Sequence, residues 1–174
     1  MTMSDEIKRL RAQLKERPED ITLLLELAYS LYEEKKYSEA IATYKKVLSH
    51  SPDDAITWHN LGFLYYEIEK YELAISALKE ALRINPKLQI TYSELSSIYI
   101  DTYEFKTAIK VAQKALELDP HDIDALINLG SSYYNTQQYE KATRALNNAL
   151  KLAPTLEFPK KILELIRKQN TQKK

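Results

Sequence analysis

Residues 55–86 read AITWHNLGFLYYEIEKYELAISALKEALRINP, and the spacing inside that stretch decides the fold. Trp58, Leu61, Gly62 and Tyr65 fall at i, i+3, i+4 and i+7, and Ala74, Leu78, Ala81 and Leu82 follow a second helical stripe. Each set lies on one face of a helix. Two helices are therefore expected, the second ended by Pro86, which lacks an N–H and disfavours helical geometry in the residue before it. Outward from this stretch, Pro18, Pro52, Pro86, Pro120 and Pro154 stand 34 residues apart. Independent placement would give that phasing roughly once in a million, so the chain is an internal repeat. Tyr37, Tyr71, Phe105 and Tyr139 keep the same period, as do Ala40, Ala74, Ala108 and Ala142, and Leu27, Leu61, Leu95 and Leu129. Four units are expected at 21–54, 55–88, 89–122 and 123–156. Ala28, Gly62, Ser96 and Gly130 in the first helices, facing the Ala series that opens the second, predict close approach of paired backbones.

The flanks read as caps, which a stacked repeat needs because its end units lack a neighbour. Over 1–20, Ser4 ahead of Asp5 and Glu6 reads as a helix start, and Ile7, Leu10 and Leu14 form a stripe ending at Pro18. Over 157–174, Pro159 is expected to open a helix to about Arg167 with Ile162, Leu163 and Ile166 inward, followed by a polar, fraying tail from Gln169 to Lys174.

The 174 residues include 25 Lys plus Arg against 25 Asp plus Glu, no Cys and two Gly. The charge balance argues against a chain-wide nucleic-acid surface. Lack of Cys removes disulfides, thiolate metal sites and cysteine nucleophiles, and two Gly leave no material for phosphate-binding loops. No apolar stretch suits a signal segment or a membrane helix, so a cytoplasmic protein is expected.

The pattern of aromatic or Leu, Leu-Gly, Tyr, Ala, aromatic, Ala and Pro resembles the tetratricopeptide repeat family. Trp58-His59-Asn60-Leu61-Gly62, Tyr65, Ala74, Leu78, Ala81 and Pro86 fill it in order, and Leu126, Asn128-Leu129-Gly130, Tyr133, Ala142, Leu146, Ala149 and Pro154 do so again. Val47 and Ala112 depart from it, and the Gly usual between the two helices is replaced by Lys35, Glu69, Tyr103 and Gln137. The resemblance implies an all-α, right-handed α-solenoid of antiparallel helix pairs, four repeats plus capping helices, without catalysis and with a peptide-binding groove on its inner side.

The residues themselves point to the same side. Opposite the packed stripe of the second unit lie Ile56, His59, Phe63 and Tyr66, so that helix is apolar on two faces. The corresponding positions include Leu25, Tyr29 and Tyr32 in the first unit, Ile90 and Ile100 in the third, and Ile127 and Tyr134 in the fourth. Such a strip is either covered by neighbouring helices or exposed as a partner site. Charge substitution at Phe63 and Tyr66 is expected to leave the fold intact and abolish capture. Asn60 and Asn128 match family positions where an inward amide bonds a ligand backbone, a local bond on the helix being equally open. Glu33, Glu67 and Asp101 flank the strip and suit a basic amphipathic segment, or serve as a solvated rim. Members that bind the acidic C-termini of heat-shock chaperones carry Lys, Asn and Arg where this chain has Leu25, Tyr29, Ile90 and Glu94, so no carboxylate clamp is present.

No catalytic, cofactor or metal site is expected: His50, His59 and His121 lack a second His at ligand spacing, and no nucleophile-plus-base set appears. The partner is therefore another protein, contacted through a peptide or helical segment, with the chain acting as a scaffold or adaptor. Two further readings are a secretion-type chaperone holding a hydrophobic client segment, and a tether to nucleic acid or an anionic membrane through the basic end. From 141 to 174 there are nine basic residues against two acidic, and from 21 to 140 eleven against eighteen. Nucleic acid and membrane are nonetheless not the expected partners, because basic side chains also suit a helix C-terminus.

Overall fold

The computed structural model describes residues 2–172, the side chains of Asn170 and Gln172 excepted; Lys173 and Lys174, part of the expected tail, lie outside the described residues. Among the described residues there are ten helices and no strand. They divide into two compact units meeting at Pro86 and Lys87. The first holds α1 (Met3–Glu16), α2 (Ile21–Glu33), α3 (Tyr37–His50), α4 (Ala55–Glu67) and α5 (Tyr71–Ile84). The second holds α6 (Gln89–Asp101), α7 (Phe105–Leu118), α8 (Ile123–Asn135), α9 (Tyr139–Leu152) and α10 (Glu157–Gln172). Within each unit, consecutive helices pair α2 with α3, α4 with α5, α6 with α7 and α8 with α9. The three-residue connections require antiparallel neighbours.

Local chemistry explains each boundary. Asp20, Asp54 and Asp122 cap α2, α4 and α8, accepting from the N–H of Leu23 (3.1 Å), Ile56 (3.0 Å) and Ala125 (3.0 Å) respectively. Leu88 stands at the same place before α6, which has no side-chain cap. At the N-terminus the cap is Thr2 rather than Ser4, because the acidic partner of a capping box sits three residues on and Asp5 meets that spacing only from Thr2. At the C-terminus, α10 begins two residues ahead of Pro159 and continues past Arg167 and Gln169 to Gln172. Pro159 fits in the first turn, where a missing N–H leaves no bond unmade. Gln169, expected in the tail, is helical and reaches the Tyr134 hydroxyl at 3.5 Å.

The inter-helix turns form without glycine. Lys35, Glu69, Tyr103 and Gln137 adopt φ of 56°, 58°, 61° and 60°. In each turn the next residue's N–H returns to the helix, as in Lys70 to the Tyr65 carbonyl (2.8 Å) and Gln138 to the Tyr133 carbonyl (2.8 Å), while Glu69 and Gln137 bond Tyr66 and Tyr134 (2.8 and 2.9 Å). This is a Schellman closure, which satisfies two carbonyls that the helix end would otherwise leave open. A left-handed conformation costs a residue with a Cβ about 1–2 kcal/mol, and the two returning bonds offset it.

Close approach of the α4–α5, α6–α7 and α8–α9 pairs rests on matched sizes. A Cβ placed on Gly62 would stand 2.6 Å from Leu78 Cγ, and one on Gly130 would stand 2.5 Å from Leu146 Cγ. In α6 the corresponding residue is Ser96, whose hydroxyl donates to the Ala108 carbonyl at 3.3 Å. One repeat period from Leu78 and Leu146 stands Ala112, fully buried like Ser96. In these three pairs the larger residue on the first helix thus goes with the smaller one on the second, whereas the α2–α3 pair carries Ala28 and Tyr44 at the same register. In the second unit the core continues through Leu129, Tyr133, Ala142 and Leu146 to Ile162, Leu163 and Ile166 of α10.

Two outcomes follow. Glu69→Gly is expected to raise unfolding stability by about 0.5–1 kcal/mol by removing left-handed strain, and Glu69→Val to lower it; urea titration of each variant measures this. Ala112→Leu alone is expected to cost about 1–3 kcal/mol by overpacking against Ser96, and Ser96→Gly in the same chain to recover most of that loss, as a double-mutant cycle reads directly.

Candidate functional site

The surface of interest lies on the first helices of the pairs, α2 and α4 in one unit and α6 and α8 in the other. These helices are built differently from their partners. Among their side chains there is no Lys or Arg, and Glu26, Glu33, Glu67, Glu94, Asp101 and Asp124 are the acidic ones. Every second helix, α3, α5, α7 and α9, carries two or more basic residues.

On the first unit, Tyr29 is 57 % exposed and Ile56 52 % exposed. Around them Leu25, Tyr32, Phe63 and Tyr66 are half-buried. Tyr32 meets the Phe63 ring edge-on at 5.8 Å, which ties α2 to α4, and rests against Tyr37 at 6.1 Å. Tyr66 rests likewise on Tyr71 at 6.1 Å. Burial, with the nearby Glu67 and Glu33 charges, holds the Tyr32 hydroxyl's pKa above its usual value. Phe63 and Tyr66 therefore help hold helices together, and charge substitution there disturbs packing as well as surface; Tyr29 and Ile56 are the residues free of that role. Glu33 and Glu67 are exposed at the edge.

Two residues expected on the strip turn inward. His59 is buried, and burial lowers its pKa because the imidazolium would lose hydration there. Asn60 is hydrogen-bonded to Tyr44, whose hydroxyl burial pushes up to about 12. The Asn60 amide is thus engaged with the neighbouring helix.

On the second unit the surface is polar. Asp122, besides capping α8, accepts hydrogen bonds from Gln89 and Ser93 of α6. Asn128 donates to the Ser93 carbonyl (3.2 Å) and the Ser97 hydroxyl (2.9 Å), so this amide also joins two helices. Beside the network opens a cleft of about 280 Å³ lined by Ile90, Glu94, Asp119, Asp124 and Ile127, among others. Ile90 is exposed, Ile100 half-buried and Asp101 exposed. Tyr134 rests on Tyr139 at 5.9 Å and is covered from the side of α10. The expected apolar strip is therefore aromatic on the first unit and hydrogen-bonded on the second. Asp119 and Asp122 were not anticipated at the site; Gln89, Ser93 and Ser97, four residues apart, were the signal for a polar face.

Among the described residues no group of three or more His, Cys, Asp or Glu is placed to hold a metal ion. No helix of the described residues is long and apolar enough to cross a membrane.

Comparison with known proteins now bears on this geometry. The family described as the cytochrome c-type biogenesis protein H TPR domain matches residues 46–157, and the tetratricopeptide repeat matches residues 21–64. The chain belongs to the tetratricopeptide repeat family. Its fold is the all-α solenoid of antiparallel helix pairs seen in solved relatives. A crystal structure of MamA is similar at 24 % identity with a TM-score of 0.81, over 86 % of this chain and 88 % of that one. MamA from Desulfovibrio magneticus RS-1 is similar at 21 % identity, with a TM-score of 0.80 and 89 % and 88 % coverage. YrrB, described as a TPR protein with an unusual peptide-binding site, is similar at 20 % identity, with a TM-score of 0.78 and 93 % and 84 % coverage. At these identities the likeness is one of fold. No curated protein matches the chain in sequence.

The burial of His59 sets a pH dependence. Because its folded pKa lies below the unfolded value of about 6.5, the unfolded chain binds the extra proton first. The contribution is complete above about pH 6.5 and declines as pH falls below it. Denaturation between pH 7 and pH 5 is expected to show that loss in wild type and a smaller loss in His59→Leu, which carries the residue type found at Leu25.

Proposed function

We propose that the chain is a non-catalytic protein-interaction module whose first-helix surface takes an amphipathic segment of a partner, apolar on one side and basic along its flank. The observation that carries this reading is the charge asymmetry: first helices without a single Lys or Arg, beside second helices that mix both signs. A rim kept only for solubility would carry both signs, as the second helices do. A surface acidic throughout repels anionic partners and steers cationic ones. Tyr29, one turn before Glu33, and Ile56, on the helix that ends at Glu67, supply exposed apolar area, and aromatic rings give contact at low entropic cost. Similarity in fold to a peptide-binding TPR protein supports a peptide ligand.

The test uses a fluorescent amphipathic helical peptide bearing Lys on its polar face, with an otherwise identical Glu peptide as control. Wild type is expected to bind the Lys peptide and not the Glu peptide, and Tyr29→Glu/Ile56→Glu to weaken binding at least about tenfold, with circular dichroism unchanged. Equal binding by wild type and the folded variant would remove the assignment of this face.

A further inference from the structure

We infer that the α2–α4 face accepts the outer stripe of α10 from a second copy of this chain, so that the protein assembles head to tail. The inference rests on the partner chemistry proposed above, which α10 itself satisfies.

By register, α10 follows the first helices, although it is basic where they are acidic: Phe158, Lys161, Leu165 and Lys168 stand 102 residues, three periods, after Ile56, His59, Phe63 and Tyr66. Its inward side is spent, since Pro159, Ile162, Leu163 and Ile166 are buried and the helix packs on α8 and α9. Its outward side is open. Phe158 is 57 % exposed and Leu165 45 % exposed, with Lys161 and Lys168 exposed on the same stripe. Of its basic residues, Lys160 is paired with Glu157 at 2.9 Å, while Lys161, Arg167 and Lys168 face solvent.

The two surfaces are complementary. α10 carries four basic residues against two acidic, the reverse of α2 and α4, whose charged side chains are Glu26, Glu33 and Glu67. Phe158 and Leu165 are two turns apart, about 10.5 Å along the axis. Ile56 corresponds by repeat to Thr22, seven residues before Tyr29, so the two acceptors are offset along their helices by about the same 10.5 Å, and a stripe crossing α2 and α4 can meet Tyr29 with one apolar residue and Ile56 with the other. With Leu165 at Tyr29, Lys168 stands toward Glu33, each about one turn past its apolar neighbour, and Lys161 lies between the two apolar residues of the stripe. Donor and acceptor are different patches, so the contact is heterologous and each added copy presents a fresh acceptor or donor. A Phe and Lys stripe also suits an anionic lipid surface, but the matching acidic and aromatic face is present on the chain itself.

Sedimentation velocity on the full chain in dilute salt, from about 10 µM to about 500 µM, covers the range of weak interfaces. Wild-type mass is expected to rise with concentration beyond a dimer, and the association to weaken at least about tenfold in about 0.5 M salt. Phe158→Glu/Leu165→Glu and Tyr29→Glu/Ile56→Glu, both at exposed positions, are each expected to remain monomeric. Their equimolar mixture is expected to form a species of twice the monomer mass and no larger, since each retains one working face. If circular dichroism finds either variant unfolded, Lys161→Glu/Lys168→Glu and Glu33→Lys/Glu67→Lys replace the pair with the same expectation. A monomeric wild type, a monomeric mixture, or assembly that survives the α2–α4 variant overturns the inference. Binding of a monomeric wild type to phosphatidylserine vesicles, lost in the α10 variant, would also overturn it and assign the stripe to lipid. Should wild type stay monomeric yet bind the Lys peptide, self-docking falls and the partner chemistry stands; if it binds neither, both fall.

Discussion

Leu78 lies where a Cβ on Gly62 would have to be, and Leu146 does the same at Gly130. That contact governs the pairs in which it occurs. A branched side chain seated against bare backbone holds the second helix close along its length, and interiors packed to crystal-like density allow little relaxation. With the helices so close, the chain must reverse in three residues, and the only closure that also satisfies the helix-end carbonyls passes through a left-handed residue. The positive φ values at Glu69 and Gln137 are the consequence, and Lys35 and Tyr103 adopt the same closure, all four in place of the Gly best suited to it. Where the first-helix residue is Ser96, the second helix carries Ala112, so the spacing survives a change in both partners.

Function follows from what this leaves over. One side of each first helix is consumed by its second helix, so any apolar residue on the other side needs a separate reason to be there. For Tyr32, Phe63, Tyr66 and Tyr134 the reason is packing, since their rings rest on one another or on the aromatic residue that opens the next helix. For Tyr29 and Ile56 no such ring contact accounts for the exposed area, and the helices that carry them hold no Lys or Arg. The distinction separates side chains that shape the face from those that offer it.

The repeat, the helix pairs and the need for small residues could be read from sequence because each depends on spacing of 3.6 or 34, which survives substitution. The left-handed closure of the turns could not, since Gly is the residue that signals it and Lys35, Glu69, Tyr103 and Gln137 stand there instead. The candidate face was legible in part. Periodicity identifies which residues share a side but not how far each projects, and so His59, Asn60 and Asn128 were grouped with Tyr29, although burial and hydrogen bonds to Tyr44, Ser93 and Ser97 turn them inward. The hydrogen-bonded surface of the second unit depends on Asp122, the cap of α8, reaching Gln89 and Ser93 of α6, a contact between residues about thirty apart that no local pattern announces.

The central claim is that the side of α2 and α4 bearing Tyr29 and Ile56 is the surface that meets a partner. Two-dimensional amide NMR during titration with a Lys-bearing amphipathic peptide tests it most directly. The account predicts that saturable shifts concentrate on α2 and α4 around Tyr29, Glu33, Ile56 and Glu67, while α3 and α5 stay still. Shifts confined to the outer faces of α3 and α5, with α2 and α4 unmoved at saturation, would contradict it.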